Sequence, residues 1–166
     1  MCGLLNRAIE DMAKDDFGAD VWQRICENFA TAEAFEGVRV LVAEDDQTSQ
    51  LIAQKMLERI GATVTVVGDG QLAVEAAENS SFDLILMDLM MPRMSGVEAT
   101  ARIRSGNGPC SEAPILALSA ATMGLDREAA IAVGMSGFLE KPARVTELRT
   151  ALLEQLACRE CCRIGG

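Results

Sequence analysis

At 166 residues, the chain has room for one domain of ordinary size and an appendage. Hydrophobic residues at 49% and charged residues at 24% allow a real core, and aromatics at only 4% make that core aliphatic and Met-rich. A formal net charge of −10 without any basic block argues against holding nucleic acid by its phosphates.

Half of the net charge sits in residues 1–36, which hold eight acids and three bases and so stand apart from the rest. Leu5, Ala8, Ile9 and Met12 make one amphipathic stripe; Val21, Trp22, Ile25, Cys26 and Phe29 make another. Phe17-Gly18-Ala19 breaks between them, which predicts a helical hairpin or helix pair, with TAEAFEG (31–37) as the junction. MCGLLNRAIEDMAKDD lacks the basic-then-apolar pattern of a signal peptide, and no apolar run approaches ~20 residues. A cytoplasmic protein without membrane contact is therefore expected, in which the scattered Cys2, Cys26 and Cys110 stay reduced.

From Val38 onward, apolar bursts alternate with helical periods. The bursts are VRVLVA (38–43), ATVTVV (62–67), FDLILMD (82–88), PILALSA (114–120) and GFLEK (137–141). Short and rich in Val, Ile and Leu, they suit strands covered on both faces of a parallel sheet. Leu51, Ile52, Lys55, Met56 and Arg59 fall in the first helical period, ended by Gly61. Leu72, Ala73, Ala76 and Ala77 follow Gly70; Val97, Ala101 and Arg104 form a third period; residues 127–133 form a fourth, stopped by Gly134. The last runs from Val145 to Leu156 with Leu148, Leu152 and Leu156 on one stripe. Strand followed by helix, repeated in this way, predicts a doubly wound α/β unit with right-handed crossovers.

The chain thus divides into a helical extension (1–36), an α/β domain (37–157) and a Cys-rich tail (158–166). The tail, CRECCRIGG, places Cys158, Cys161 and Cys162 together without a second Cys-x₂-Cys pair to complete a zinc site. A frayed reactive tail is expected there, with palmitoylation or a redox role as alternatives.

In such sheets the functional crevice lies beyond the C-terminal ends of the strands. The first predicted strand ends in Glu44-Asp45-Asp46, the third in Asp88, the fourth in Ser119 and the fifth in Lys141-Pro142. Taken singly, an acid after a strand is usually a helix cap or a solvated turn, and a Lys before Pro a turn. Taken together, neighbouring acids on one rim raise each other's pKa unless a cation sits among them. Hard oxygen ligands with room for water point to Mg²⁺. A carboxylate in that setting can attack a phosphoryl group and form an acyl phosphate, with a Lys ammonium and a hydroxyl holding the other oxygens. Asp88, at the end of an apolar run and ahead of a Met-Pro loop, is the best-placed nucleophile.

These motifs carry a resemblance. LVAEDDQTSQ, LILMDLMMPRMSGVEATARIR, ILALSA and GMSGFLEKP stand in the order found in receiver domains of two-component response regulators, and residues 38–156 resemble that family throughout. The flavour of DLMMPRMSGVEATARIR is closest to receivers of hybrid sensor kinases. The resemblance implies a flavodoxin-like (βα)₅ fold in which Asp88 accepts a phosphoryl group from a kinase's phosphohistidine. It implies that Asp45 binds Mg²⁺ directly, Glu44 binds it through water, and Met90 offers its backbone carbonyl. Lys141 would pair with the phosphoryl group, followed by a cis bond to Pro142. Ser119 would close on a phosphoryl oxygen and Phe138 would swing inward with it, reshaping the surface around 119–140. The charge added on phosphorylation is roughly 1.5–2 units, and the chain's lack of His fits a protein that takes phosphate from another's histidine. The implied partners are a histidine kinase or phosphotransfer protein and a downstream protein target, since no output domain follows residue 156.

MCGLLNRAIEDMAKDDFGADVWQRI resembles the opening of haem–nitric oxide/oxygen-binding (H-NOX) domains, through Gly3, Leu5-Asn6, Ala8 and FGADVW. That fold needs a proximal His, and the chain has none, so no haem is expected. The segment reads instead as a helix pair that packs on the receiver or joins two chains in a homodimer, or as a truncated sensor remnant. Two rivals remain for the α/β domain. A haloacid dehalogenase-type phosphatase needs a second acid at the position held by Met90, and a pseudo-receiver scaffold would not need Glu44, Asp45, Asp88 and Lys141 together.

Overall fold

The computed structural model describes residues 35–120 and 124–164, and the side chains of 35–120 and 127–156. They belong to one compact unit, Ala32–Gly166. The helix pair expected over 1–36 and its H-NOX resemblance lie outside the described residues, apart from Phe35 and Glu36.

Strands and helices alternate along the unit: β1 (Arg39–Ala43), α1 (Gln47–Arg59), β2 (Thr63–Val67), α2 (Gly70–Asn79), β3 (Leu84–Asp88), α3 (Gly96–Ser105), β4 (Ile115–Ser119), α4 (Gly124–Ala132), β5 (Gly137–Glu140) and α5 (Val145–Ile164). The strands form one parallel sheet in the order β2-β1-β3-β4-β5. This is the flavodoxin-like, doubly wound fold expected from the sequence.

Side chains alternate across the sheet, as the pleat requires. Leu41, Ala43, Ile85, Met87, Ile115 and Ala117 share one face with Ala73, Val74 and Ala77 of α2, Ala99 and Ile103 of α3, and Ala130 of α4. Val40, Val42, Leu84, Leu86, Leu116 and Leu118 share the other with Leu57 of α1 and Leu148 and Leu152 of α5, where Phe35 is also buried. β3, the middle strand, is buried at every position. Each fully buried aliphatic side chain contributes roughly 1.5–3 kcal/mol, enough in sum to tolerate costly groups at the strand ends.

Three details differ from the sequence reading. Coverage on both faces holds for β1, β3 and β4, whereas β2 at the sheet edge is half exposed. The sheet face buries Leu57 and half-buries Ala53 and Met56, leaving Leu51 and Ile52 exposed at 55% and 45%. A helix shows the sheet a single stripe, and positions 53, 56, 57 and 60 already fill it. Finally, α5 does not stop at Leu156 but continues to Ile164, so Cys158, Cys161 and Cys162 stand on a helix rather than a frayed tail. Among the described residues no helix is long and apolar enough to cross a membrane.

Candidate functional site

The register of the sheet assembles the site. Ala43 pairs with Met87, which sets Glu44 level with Asp88; Asp88 pairs with Leu118, which sets Ser119 one step beyond. Ser119 in turn pairs with Glu140, so Lys141 follows on the same edge. Lys141 N donates to Ser119 O at 2.8 Å, and the Lys141–Pro142 bond is cis, as expected.

The carboxylate oxygens of Glu44, Asp45 and Asp88 all lie within 4.8 Å of one another. Glu44 and Asp88 are buried, at 2% and 5% exposure, and Asp45 faces solvent. Lys141 Nζ bridges the buried pair, 2.5 Å from Glu44 Oε2 and 2.7 Å from Asp88 Oδ2. A cleft of about 120 Å³ opens beside them, lined by Asp88, Met90, Ser119 and Lys141 among others.

The electrostatics are unbalanced. Burial raises the Glu44 carboxyl above the ordinary carboxylate value; the hydrogen bond to Lys141 opposes this and the Asp88 charge reinforces it. Burial pulls the Lys141 ammonium down, but its hydrogen bonds to Asp88 and Glu44 outweigh that and hold it above the ordinary Lys value. One ammonium therefore does not neutralise three carboxylates. The set is all-oxygen, hard and open to water at Asp45, which fits a small divalent cation such as Mg²⁺.

Asp46 behaves differently from its neighbours. It caps α1 by accepting from Ser49 N at 2.7 Å, and this hydrogen bond holds its carboxyl below the ordinary range. Phe138 stands on β5 opposite Ala117, half-buried against the core, with the Arg127 guanidinium 4.6 Å above its ring. It is not among the residues lining the cleft.

Some contributors gave no signal in the sequence. Gln50 Nε2 donates to the backbone carbonyl of Glu44 at 2.6 Å, and Met90 N donates to Asp88 Oδ1 at 3.0 Å, so a backbone amide steadies the Asp88 carboxylate alongside Lys141. Gly96 opens α3 with its N donating to Leu89 O at 3.1 Å, and a Cβ there would collide with the Asp88 carbonyl. The glycine in MSG thus lets α3 approach the strand end, a role that the sequence did not reveal.

The family model of the response regulator receiver domain matches residues 40–153. Histidine kinase 1 of Arabidopsis thaliana is 34% identical over 78% of this chain and 14% of its own length. Transcription factor SKN7 of Saccharomyces cerevisiae is 36% identical over 75% of this chain and 20% of its own length. The chain therefore spans only a small part of the curated relatives it matches. Among solved structures, the receiver domain of the Pseudomonas aeruginosa sensor histidine kinase PA1611, with a magnesium ion in its active-site cleft, is 37% identical. It superposes with a TM-score of 0.68, covering 72% of this chain and 98% of that one. The receiver domain of histidine kinase CKI1 from Arabidopsis thaliana, complexed with Mg²⁺ and BeF₃⁻, is 28% identical with a TM-score of 0.67, covering 76% and 95%.

Proposed function

The chain belongs to the response regulator receiver domain family, and we propose that it takes a phosphoryl group onto Asp88 in a two-component or phosphorelay pathway. The donor is a phosphohistidine of a histidine kinase or phosphotransfer protein. An Asp88 carboxylate oxygen forms the new P–O bond as the P–N bond breaks, and the donor imidazole keeps the electron pair and takes up a proton. The chain supplies the acceptor and its surroundings, and signalling rather than turnover of a substrate is its role.

The observation that carries this reading is the meeting of Glu44, Asp45 and Asp88 within 4.8 Å, with Lys141 Nζ 2.7 Å from Asp88. Asp45, Asp88 and the Met90 carbonyl would hold Mg²⁺ directly and Glu44 through water. Mg²⁺ bound there supplies charge neutralisation for the phosphoryl oxygens. Lys141 orients the acceptor carboxylate before transfer and pairs with the phosphoryl group after it. Ser119, on the rim of the same cleft, accepts the switching role, with Phe138 as the aromatic that follows it and a downstream protein as the reader of that surface. On this reading the receiver unit is 37–157, flanked by the extension 1–36 and the segment 158–166.

Incubation with acetyl phosphate and Mg²⁺, read by intact mass, tests the proposal. A phosphoryl adduct on the wild type that is lost in Asp88→Asn supports it. No adduct, together with no Mg²⁺ binding, overturns it in favour of a non-phosphorylated scaffold.

A further inference from the structure

Among the described residues, Arg93 is the non-glycine residue with a left-handed backbone, at φ 66°. It sits in the loop between β3 and α3, which follows Asp88 directly. A side chain in that conformation persists only where its surroundings hold it. Its guanidinium pairs with Asp69, whose carboxylate is 1% exposed. Asp69 is itself fixed, because its other oxygen caps α2 by accepting from Leu72 N at 2.9 Å.

The backbones meet at the same place. Met94, only 6% exposed, lies so close to Gly70 at the start of α2 that a Cβ on that glycine would run into the Met94 carbonyl. The loop's inner end is tied separately, by Gly96 N to Leu89 O at 3.1 Å and by Met90 N to Asp88 Oδ1 at 3.0 Å. The loop is thus closed at its base beside the acceptor strand and held at Arg93 and Met94 by the head of α2.

The geometry points to the Arg93–Asp69 pair as a positioning latch that sets the β3–α3 loop so that Asp88 and the Met90 carbonyl present together to a divalent cation. This rests on the reading of the site as a Mg²⁺-dependent phosphoacceptor. Neither residue touches the reacting atoms, so both act through the loop backbone. Residues that orient metal ligands in this indirect way change metal affinity by about 10–100-fold when lost.

The test uses the full chain and compares wild type, Arg93→Met, Asp69→Asn, the double variant and Arg93→Lys. Each is measured for Mg²⁺ affinity by calorimetry and for metal-free thermal stability. Asp69→Asn keeps the helix cap while removing the charge, so it retains the fold. Arg93→Met leaves the buried Asp69 carboxylate unpaired and should lower both quantities. The double variant has no orphaned carboxylate, and it should regain stability while Mg²⁺ affinity stays about tenfold or more below wild type. Arg93→Lys, which keeps the charge, should recover part of that affinity. A double variant that regains affinity along with stability overturns the latch, since the pair would then be structural only. Single variants that bind Mg²⁺ as wild type does overturn it equally. A wild type that binds no Mg²⁺ removes the phosphoacceptor reading and the latch with it.

Discussion

Lys141 reaches back from the end of β5 to place its Nζ 2.7 Å from Asp88 Oδ2, across a sequence separation of 53 residues. The same Nζ lies 2.5 Å from Glu44 Oε2, so one ammonium serves two buried carboxylates.

Lys141→Met leaves both acids without their cation. Loss of charged hydrogen bonds to buried groups should cost about 2 kcal/mol at pH 7, measured by urea unfolding. Saturating Mg²⁺ should restore more stability to this variant than it adds to wild type, because the incoming cation then replaces a missing one. Equal Mg²⁺ increments in the two proteins would contradict the pairing.

Gly96→Ala puts a methyl group against the Asp88 carbonyl. Backbone rather than a flexible side chain is in the way, so α3 or the end of β3 must shift. A loss of about 1–3 kcal/mol is expected. Mg²⁺ affinity should fall as well, since Asp88 moves. Unchanged affinity with reduced stability would show that the shift is taken up by α3 alone.

The raised Glu44 carboxyl sets a pH dependence. An acid whose folded value lies above its unfolded one lends stability that is whole below the ordinary value of 4.5 and is lost as pH rises through the folded value. Metal-free protein should therefore lose Glu44's share of stability on leaving the acid range. Mg²⁺ competes with the Glu44 proton, so its thermal stabilisation should be larger at pH 8 than at pH 5. Glu44→Gln should narrow that gap, and a Mg²⁺ shift independent of pH in wild type would refute the assignment.

The capping box at the start of α3 has the opposite sign. Ser95 N and Oγ donate to Glu98 Oε2 at 3.1 and 3.0 Å, and these bonds hold the Glu98 carboxyl below its ordinary 4.5. Stability from this source is present above 4.5 and lost as pH falls through the lowered value. Denaturation curves should separate Glu98→Gln from wild type at neutral pH and converge in acid. Ser95→Ala should cost about 1 kcal/mol at pH 7.

Much of the fold was legible because burial writes itself into sequence period. The run LILM has no polar position before Asp88, and the structure buries all four of its residues in β3. Leu148 and Leu152 follow a helical stripe and are buried at 2% and 0%. Leu51 and Ile52 were misleading because an apolar residue on the outer side of a helix has the same composition as one on the inner side. Only the packing of Leu57 against the sheet distinguishes them.

The sequence by itself determined the order of strands and helices and which residues end the strands, because local period and turn chemistry act over a few residues. It therefore also named Glu44, Asp45, Asp88, Ser119 and Lys141 as candidates. What brings them together is the parallel register, a relation between segments far apart in the chain that no local pattern encodes. Tertiary structure alone decided that Lys141 divides itself between Glu44 and Asp88, that Asp46 caps a helix instead of joining the cluster, and that Gly96 is needed for room. Each of these is settled by distances of a few ångströms between distant residues, and electrostatic and steric energies depend on those distances rather than on sequence spacing.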